Sequence, residues 1–195
     1  FSTGGKMVIM YKWEAAKAAQ LIEAEKITFF TAVPTMIWQL LDTPESQKCD
    51  LSSLQTLAYG GAPAPPELLR MIQTKTPHVS TANGWGLTEV SSGAASISGE
   101  AYIRKPDSVG PPVKVCDVKA FDENGKALGT NELGELWIKG ATVVKGYWNK
   151  PEATAASFTD GWFHTGDIGM VDDEGFVYIK DRLKDMIIRG CLLYT

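Results

Sequence analysis

Two glycine-rich segments contain the residues of this chain whose types best suit nucleotide chemistry. The first is Gly60-Gly61-Ala62-Pro63, and the second is Asn83-Gly84-Trp85-Gly86-Leu87-Thr88-Glu89. Glycine allows positive φ angles and lets a ligand approach the backbone closely. Trp85 offers a face on which a base could stack, Thr88 a hydroxyl for a phosphate oxygen, and Glu89 a carboxylate for Mg²⁺. Because short glycine-rich segments are weak signals by themselves, a strand that ends in an ordinary turn is the alternative interpretation.

Two polar clusters later in the chain could bind a sugar or a phosphate. The first is His164-Thr165-Gly166-Asp167, whose carboxylate could accept hydrogen bonds from vicinal ribose hydroxyls. A turn in which Asp167 bonds its own backbone is the simpler explanation. The second is Asp181-Arg182-Leu183-Lys184-Asp185, in which the guanidinium of Arg182 suits a ribose or phosphate oxygen, although charge clusters are usually solvated surface. Two histidines, His78 and His164, are too few for a zinc site.

Alternating strand and helix patterns place both glycine-rich segments at one edge of a sheet. Apolar and β-branched runs predict strands at residues 7–10, 27–33, 54–59 and 79–82, and helical patterns cover residues 14–25, 35–41 and 65–74. This alternation favours a mostly parallel sheet with flanking helices. In such sheets ligands bind beyond the carboxyl ends of the strands. Both segments follow predicted strands there, so we expect them to lie close together.

The second half of the chain has a different pattern. Residues 113–121 alternate apolar and polar side chains, Asn124-Gly125 is a hairpin signal, and further strands are predicted at 135–139 and 176–179 with a helix at 151–158. The predicted fold class is therefore α/β: a mostly parallel sheet with flanking helices at residues 1–105, followed by a small antiparallel β-barrel-like subdomain at 106–181.

Composition excludes several functional classes. A net charge of −4 and a pI near 5.2 argue against nucleic-acid binding. No apolar run approaches the ~18 residues of a transmembrane segment. Cys49, Cys116 and Cys191 are odd in number and far apart, which argues against a disulfide framework and for a reducing, cytoplasmic compartment. Peripheral membrane contact and a homo-oligomer both stay open.

Together, these motifs resemble the AMP-binding, adenylate-forming superfamily, which includes acyl-CoA synthetases, luciferases and peptide-synthetase adenylation domains. The resemblance implies part of the N-terminal domain of such an enzyme. It also implies a two-step reaction, in which a carboxylate attacks the α-phosphate of ATP to give acyl-AMP and coenzyme A then displaces AMP. The matching segments, in family order, are residues 59–63, 83–89, 134–140 with 146–148, 161–167 and 181–188.

The resemblance also implies a role for each candidate residue. Asp167 would bind the ribose hydroxyls with help from Arg182. Thr88 would contact phosphate and Glu89 would hold Mg²⁺, which neutralises the repulsion between the acid and the triphosphate. Lys184 lies at the family's hinge, residues 182–190, before a mobile C-terminal domain. The residues implied to surround adenine are Gly61, Ala62, Pro63, Asn83, Gly84 and Trp85.

Fatty acyl-CoA ligases are the subclass that residues 146–154, 162–167 and 184–188 resemble most. Residues 31–41 would border the acyl pocket, or would serve only as core. A peptide-synthetase adenylation domain, a luciferase-like enzyme and a non-catalytic nucleotide-binding module remain alternatives, and the chain length of the acid stays open. The chain reads as an internal fragment with a foreign tail at 191–195. It lacks the family's phosphate loop and adenylation lysine, so we expect it to be inactive alone.

Overall fold

The computed structural model describes residues 4–62 and 64–183, together with the backbone of 187–189 and 192–194. The chain divides into two compact units. The first comprises Phe1–Tyr59 with Pro63–Thr81, and the second comprises Gly60–Ala62 with Ala82–Thr195. The subdomain boundary predicted near residue 105 and the hinge at 182–190 stay predictions.

The first unit packs helices around a pair of parallel strands. Phe29–Ala32 pairs in parallel with Thr56–Tyr59, in register from Phe29 opposite Thr56. Two of the α-helices begin with proline, whose fixed φ and missing N–H suit the first helical position. The elements that begin in this unit are α1 (Ala15–Glu25), β1 (Phe29–Ala32), α2 (Pro34–Asp42), a 3₁₀ helix (Pro44–Gln47), β2 (Thr56–Gly60), α3 (Pro66–Lys75) and β3 (Ser80–Trp85).

The strand predicted at residues 7–10 is wrong. This segment is irregular. Met7 and Ile9 are 57% and 80% exposed, and Val8 and Met10 are half-buried. A strand needs a neighbour to receive its backbone hydrogen bonds, and an apolar run does not supply one. The buried core of the unit comes instead from the helices and β2, through residues that include Ile22, Ile37, Leu40, Leu57, Leu68 and Ile72.

The second glycine-rich segment begins inside a strand rather than in a loop. β3 continues through Asn83 and Gly84 to Trp85, and this part pairs antiparallel with β4 (Ala95–Ser98). A 3₁₀ turn at Thr88–Val90 follows β3, and α4 (Gly99–Arg104) follows β4. Neither β4 nor α4 was predicted from the sequence, because four residues of strand and six of helix give too short a periodic signal.

The remainder of the second unit is an antiparallel sheet with the strand order β5-β6-β8-β7, in which β9 also pairs with β8. This arrangement confirms the predicted α/β fold class with its antiparallel second half. In the described parts of the chain, no helix has the length and apolar character needed to cross a bilayer. The elements are β5 (Cys116–Phe121), β6 (Gly134–Gly140), α5 (Pro151–Ser157), β7 (Phe158–Thr159), β8 (Trp162–Val171), β9 (Val177–Arg182) and a hairpin of β10 (Ile187–Arg189) with β11 (Leu192–Tyr194).

A buried carboxylate organises the turn between β8 and β9. Asp172 accepts hydrogen bonds from the backbone N–H groups of Glu174 and Phe176, at 3.0 and 2.8 Å. It also accepts from the ammonium of Lys105 and the hydroxyl of Tyr178. Burial alone would raise the pKa of Asp172, but the hydrogen bonds from Lys105, Phe176 and Tyr178 outweigh burial and lower it.

We expect Asp172→Ala to destabilise the second unit by about 1–3 kcal/mol, because it leaves two backbone N–H groups without their acceptor. Urea unfolding near neutral pH measures this loss. Since the folded-state pKa of Asp172 is lowered, its contribution is present above the unfolded-state pKa of about 3.9 and disappears as the pH falls through the folded value. The difference between wild type and variant should therefore shrink in acid. The exposed neighbour Asp173→Ala is the control, and an equal loss there would contradict this account.

Candidate functional site

Asp167 is the buried charge at the centre of the candidate site. It lies on β8 and is 3% exposed. The turn in which Asp167 would bond its own backbone is therefore wrong. The indole N–H of Trp85 donates to Oδ2 of Asp167 across 2.8 Å, although the two residues are 82 positions apart. Nε of Arg182, the residue opposite Asp167 on β9, donates to Oδ1. Three of the motifs singled out in the sequence therefore meet at one carboxylate.

An irregularity in β8 sets the direction of Asp167. The register of β8 shifts against both β6 and β9 near this residue. Gly166 has a φ of +72°, which explains a glycine at this position. The hydroxyl of Thr165 donates to the carbonyl of Leu136 at 2.6 Å and accepts from the Asp167 amide at 3.0 Å. Asp167 is thus held by side-chain as well as by strand hydrogen bonds.

The two glycine-rich segments approach each other closely inside the second unit. A Cβ added to Gly60 would lie only 2.5 Å from the carbonyl oxygen of Gly84. Gly61 follows with a φ of +73°. The short distance between Gly60 and Gly84 therefore agrees with the expectation that these segments lie together. Of the residues predicted to surround adenine, Asn83 and Ala62 are half-buried, and Pro63 lies outside the described residues.

Trp85 has a different environment from the one expected for a freely presented ring. It is 8% exposed and belongs to a core cluster that includes Val90, Ala94 and Leu136. Its indole N–H donates to Asp167. The sequence indicated a ring for stacking, but it gave no sign that the same indole also orients the ribose-binding candidate. Its role against adenine stays a prediction.

The carboxylate of Glu89 is oriented by a tyrosine from another motif. The hydroxyl of Tyr147 donates to Oε1 of Glu89 at 2.8 Å, and the carbonyl of Glu89 accepts from the amide of Val144 at 2.8 Å. Burial, followed by the hydrogen bond to Glu89, raises the pKa of Tyr147, so this hydroxyl stays protonated as a donor. Sequence reasoning used Tyr147 only as part of a family motif and missed this contact.

Glu89 fits the way proteins usually bind Mg²⁺. In the described ranges, no three His, Cys, Asp or Glu side chains come together as a metal cluster. A magnesium ion is commonly held by one or two carboxylates together with substrate phosphates and water. Glu89 is half-buried in the Thr88–Val90 turn, and its neighbour Thr88 is exposed. The roles of Thr88 at phosphate and of Glu89 at Mg²⁺ stay predictions. Lys184 lies outside the described residues.

Comparison with known proteins identifies the class to which this arrangement belongs. The family described as AMP-binding enzyme matches residues 1–148. The chain therefore belongs to the AMP-binding enzyme family, in agreement with the resemblance of its motifs.

Individual relatives are acyl-CoA ligases and related enzymes. The chain is 36% identical over 187 residues to a feruloyl-CoA synthase of Amycolatopsis sp, covering 96% of this chain and 38% of that protein. It is 40% identical to a long-chain-fatty-acid–CoA ligase of Bacillus subtilis, covering 96% and 33%. The solved structure of the amide bond synthetase McbA from Marinactinospora thermotolerans superposes with a TM-score of 0.91 at 31% identity, covering 98% and 39%. The chain thus spans between a third and two fifths of these proteins.

We expect Gly60→Ala to destabilise the second unit by about 1–3 kcal/mol, because a methyl group would press on rigid backbone at Gly84. Chemical denaturation measures the difference. Gly93→Ala is the matched control, since a Cβ there meets nothing within 4 Å. Equal stability of the two variants would show that the segments do not approach as closely as described.

Proposed function

We propose that this chain is part of an ATP-dependent acyl-CoA synthetase, an acid–thiol ligase that forms AMP. The observation that supports this most directly is the Asp167 carboxylate between the indole of Trp85 and the guanidinium of Arg182. Recognition of a ribose needs a fixed pair of acceptor oxygens. The two contacts orient such a pair in a chain that belongs to the AMP-binding enzyme family.

Asp167 keeps acceptor capacity for a ribose. Each carboxylate oxygen has two lone-pair sites, so an oxygen that accepts one protein hydrogen bond can accept another. Trp85 uses one site on Oδ2, and Arg182 uses one on Oδ1. Two vicinal hydroxyls could therefore bond the two oxygens side by side. Arg182 and Trp85 orient the carboxylate, so it does not need to reorganise when the nucleotide binds.

The phosphate end of the site is assigned to Thr88 and Glu89. The Thr88 hydroxyl would donate to a phosphate oxygen, and Glu89, oriented by Tyr147, would hold Mg²⁺. The ion, when bound, would neutralise charge at the α-phosphate so that the substrate carboxylate can attack it. Holding both reactants in line contributes further, because well-oriented reactions save about 7–11 kcal/mol.

The acid substrate is proposed to be aliphatic. Several relatives are named as fatty-acid–CoA ligases. In the first unit, Met36, Leu21 and Phe30 line a cavity of about 710 Å³. Val33 and Ile37, which also lie within residues 31–41, are 4% and 0% exposed and pack in the core. The support from residues 31–41 therefore reduces to Met36 and its neighbours at this cavity.

Coenzyme A is the proposed acceptor of the acyl group, with an amine as the second candidate. Relatives named as CoA ligases favour the thiol, whereas the structural likeness to an amide bond synthetase favours the amine. Supplying each acceptor to the complete protein after acyl-AMP has formed distinguishes the two. A cytoplasmic location is proposed with this function, on the basis of the separated, unpaired cysteines Cys49 and Cys116.

We expect Glu89→Gln in the complete protein to lower kcat by about 100-fold or more, because the loss of one electrostatic contact to a transition state commonly lowers kcat by that factor. Acyl-CoA formation, or pyrophosphate release, measures it. Glu152→Gln is the control, because this glutamate is exposed at the start of α5. Unchanged turnover in Glu89→Gln would favour a non-catalytic nucleotide-binding module instead.

The 195-residue chain by itself is expected to show no acid-dependent exchange of labelled pyrophosphate into ATP. The phosphate loop and the adenylation lysine implied by the family resemblance are not among its motifs. The complete protein, assayed in parallel, should show exchange. Activity above background from the chain alone would overturn this expectation.

A further inference from the structure

We propose that Glu135 is a positioning residue that aims Asp167 at the ribose. This inference rests on the proposed function, because it assigns to Glu135 an effect on a nucleotide that Asp167 binds. In this proposal, Glu135 makes no direct contact with the nucleotide. It acts through the backbone of Gly166, the residue immediately before Asp167.

The contact joins a side chain of β6 to the irregular part of β8. Oε1 of Glu135 accepts a hydrogen bond from the amide of Gly166 at 2.9 Å. The register between β6 and β8 shifts between Glu135 and Trp137, so the regular ladder is interrupted at this position. A carboxylate oxygen therefore takes the place of a strand carbonyl. Hydrogen bonds to an ionised acceptor are stronger than those between neutral groups.

Glu135 is held in this position by a second hydrogen bond. Its Oε2 accepts from the indole N–H of Trp137 at 2.8 Å. The Trp137 ring is stacked on both sides, with centroid distances of 4.1 Å to Phe121 and 3.9 Å to His164. Both oxygens of the carboxylate thus have defined partners, and the indole that orients one of them cannot readily turn. Glu135 is a fixed support rather than a mobile surface charge.

The hydrogen bond from Glu135 completes the set of partners for the backbone groups around Gly166. The carbonyl of Gly166 accepts from the amide of Leu183 at 2.9 Å, and the amide of Asp167 donates to the hydroxyl of Thr165. Without Glu135, the Gly166 amide loses its acceptor. Because Gly166 has no side chain to restrain it and a φ of +72°, the peptide unit before Asp167 would gain freedom. The orientation of the Asp167 carboxylate would broaden with it.

If the Asp167 carboxylate is less well oriented, binding of the ribose hydroxyls should weaken more than binding of the base and the phosphates of ATP. The test compares ATP with 2′-deoxy-ATP and 3′-deoxy-ATP in the complete protein, using kcat/KM for the nucleotide in pyrophosphate exchange. We expect Glu135→Ala to reduce the preference for ATP about tenfold, which corresponds to about 1.4 kcal/mol. KM for ATP should rise while kcat changes little. Glu135→Gln has one amide oxygen for two donors, the Gly166 amide and the Trp137 indole, so its preference for ATP should lie between those of wild type and Glu135→Ala.

Glu132 provides a matched control. Its carboxylate also accepts a glycine amide, that of Gly129, but in a turn before β6 rather than beside Asp167. Glu132→Ala should leave the preference for ATP unchanged. Asp167→Ala should abolish the preference, and adding Glu135→Ala to it should reduce the preference no further. Should Glu135→Ala not fold, Glu135→Leu keeps much of the side-chain volume and repeats the measurement.

An equal loss of kcat/KM on ATP and on both deoxy nucleotides in Glu135→Ala would overturn the inference, because a merely structural residue would act in that way. A wild-type protein that uses ATP but does not distinguish it from the deoxy nucleotides would overturn the ribose role of Asp167 as well. A wild-type protein that neither binds nor uses ATP would instead overturn the proposed function itself. The three failures are therefore distinguishable.

Discussion

The burial of one negative charge constrains much of the second unit. A carboxylate that is 3% exposed must be compensated by charge and hydrogen bonds, because an uncompensated ion is costly to remove from water. Asp167 obtains an indole N–H from β3 and a guanidinium from β9. Both donors must be in place for the buried charge to be stable. The positions of Trp85 on β3 and Arg182 on β9 therefore depend on Asp167 on β8. The same carboxylate also has the chemistry to bind a ribose.

A recurring arrangement in this unit is a carboxylate oriented by an aromatic donor. Trp85 bonds Asp167, Tyr147 bonds Glu89, and Trp137 bonds Glu135. Tryptophan and tyrosine have few rotatable bonds and usually pair their polar group when buried. Each carboxylate therefore receives a donor whose direction is determined by core packing, and two of these carboxylates are the candidates for ribose and magnesium.

Glycine has two separate purposes around the site. At Gly60 it allows two backbones to approach more closely than any side chain would permit. At Gly166 it allows a positive φ within β8, close to the positions where the register shifts against β6 and β9.

The amino-acid sequence by itself determined the family motifs, the α/β fold class, most helices and strands, and the expectation that two glycine-rich segments lie together. These follow from local periodicity, from proline and glycine positions, and from the rule that parallel strands share an edge. The tertiary structure decided what the side chains contact: the Trp85–Asp167 bond, the Tyr147–Glu89 bond and the support of Gly166 by Glu135. It also showed that residues 7–10 form no strand, that β3 extends through Trp85, and that Asp167 lies in the long strand β8 rather than in a turn. Such contacts join residues far apart in the chain, and they depend on strand register and bulges that no local pattern of residue types encodes.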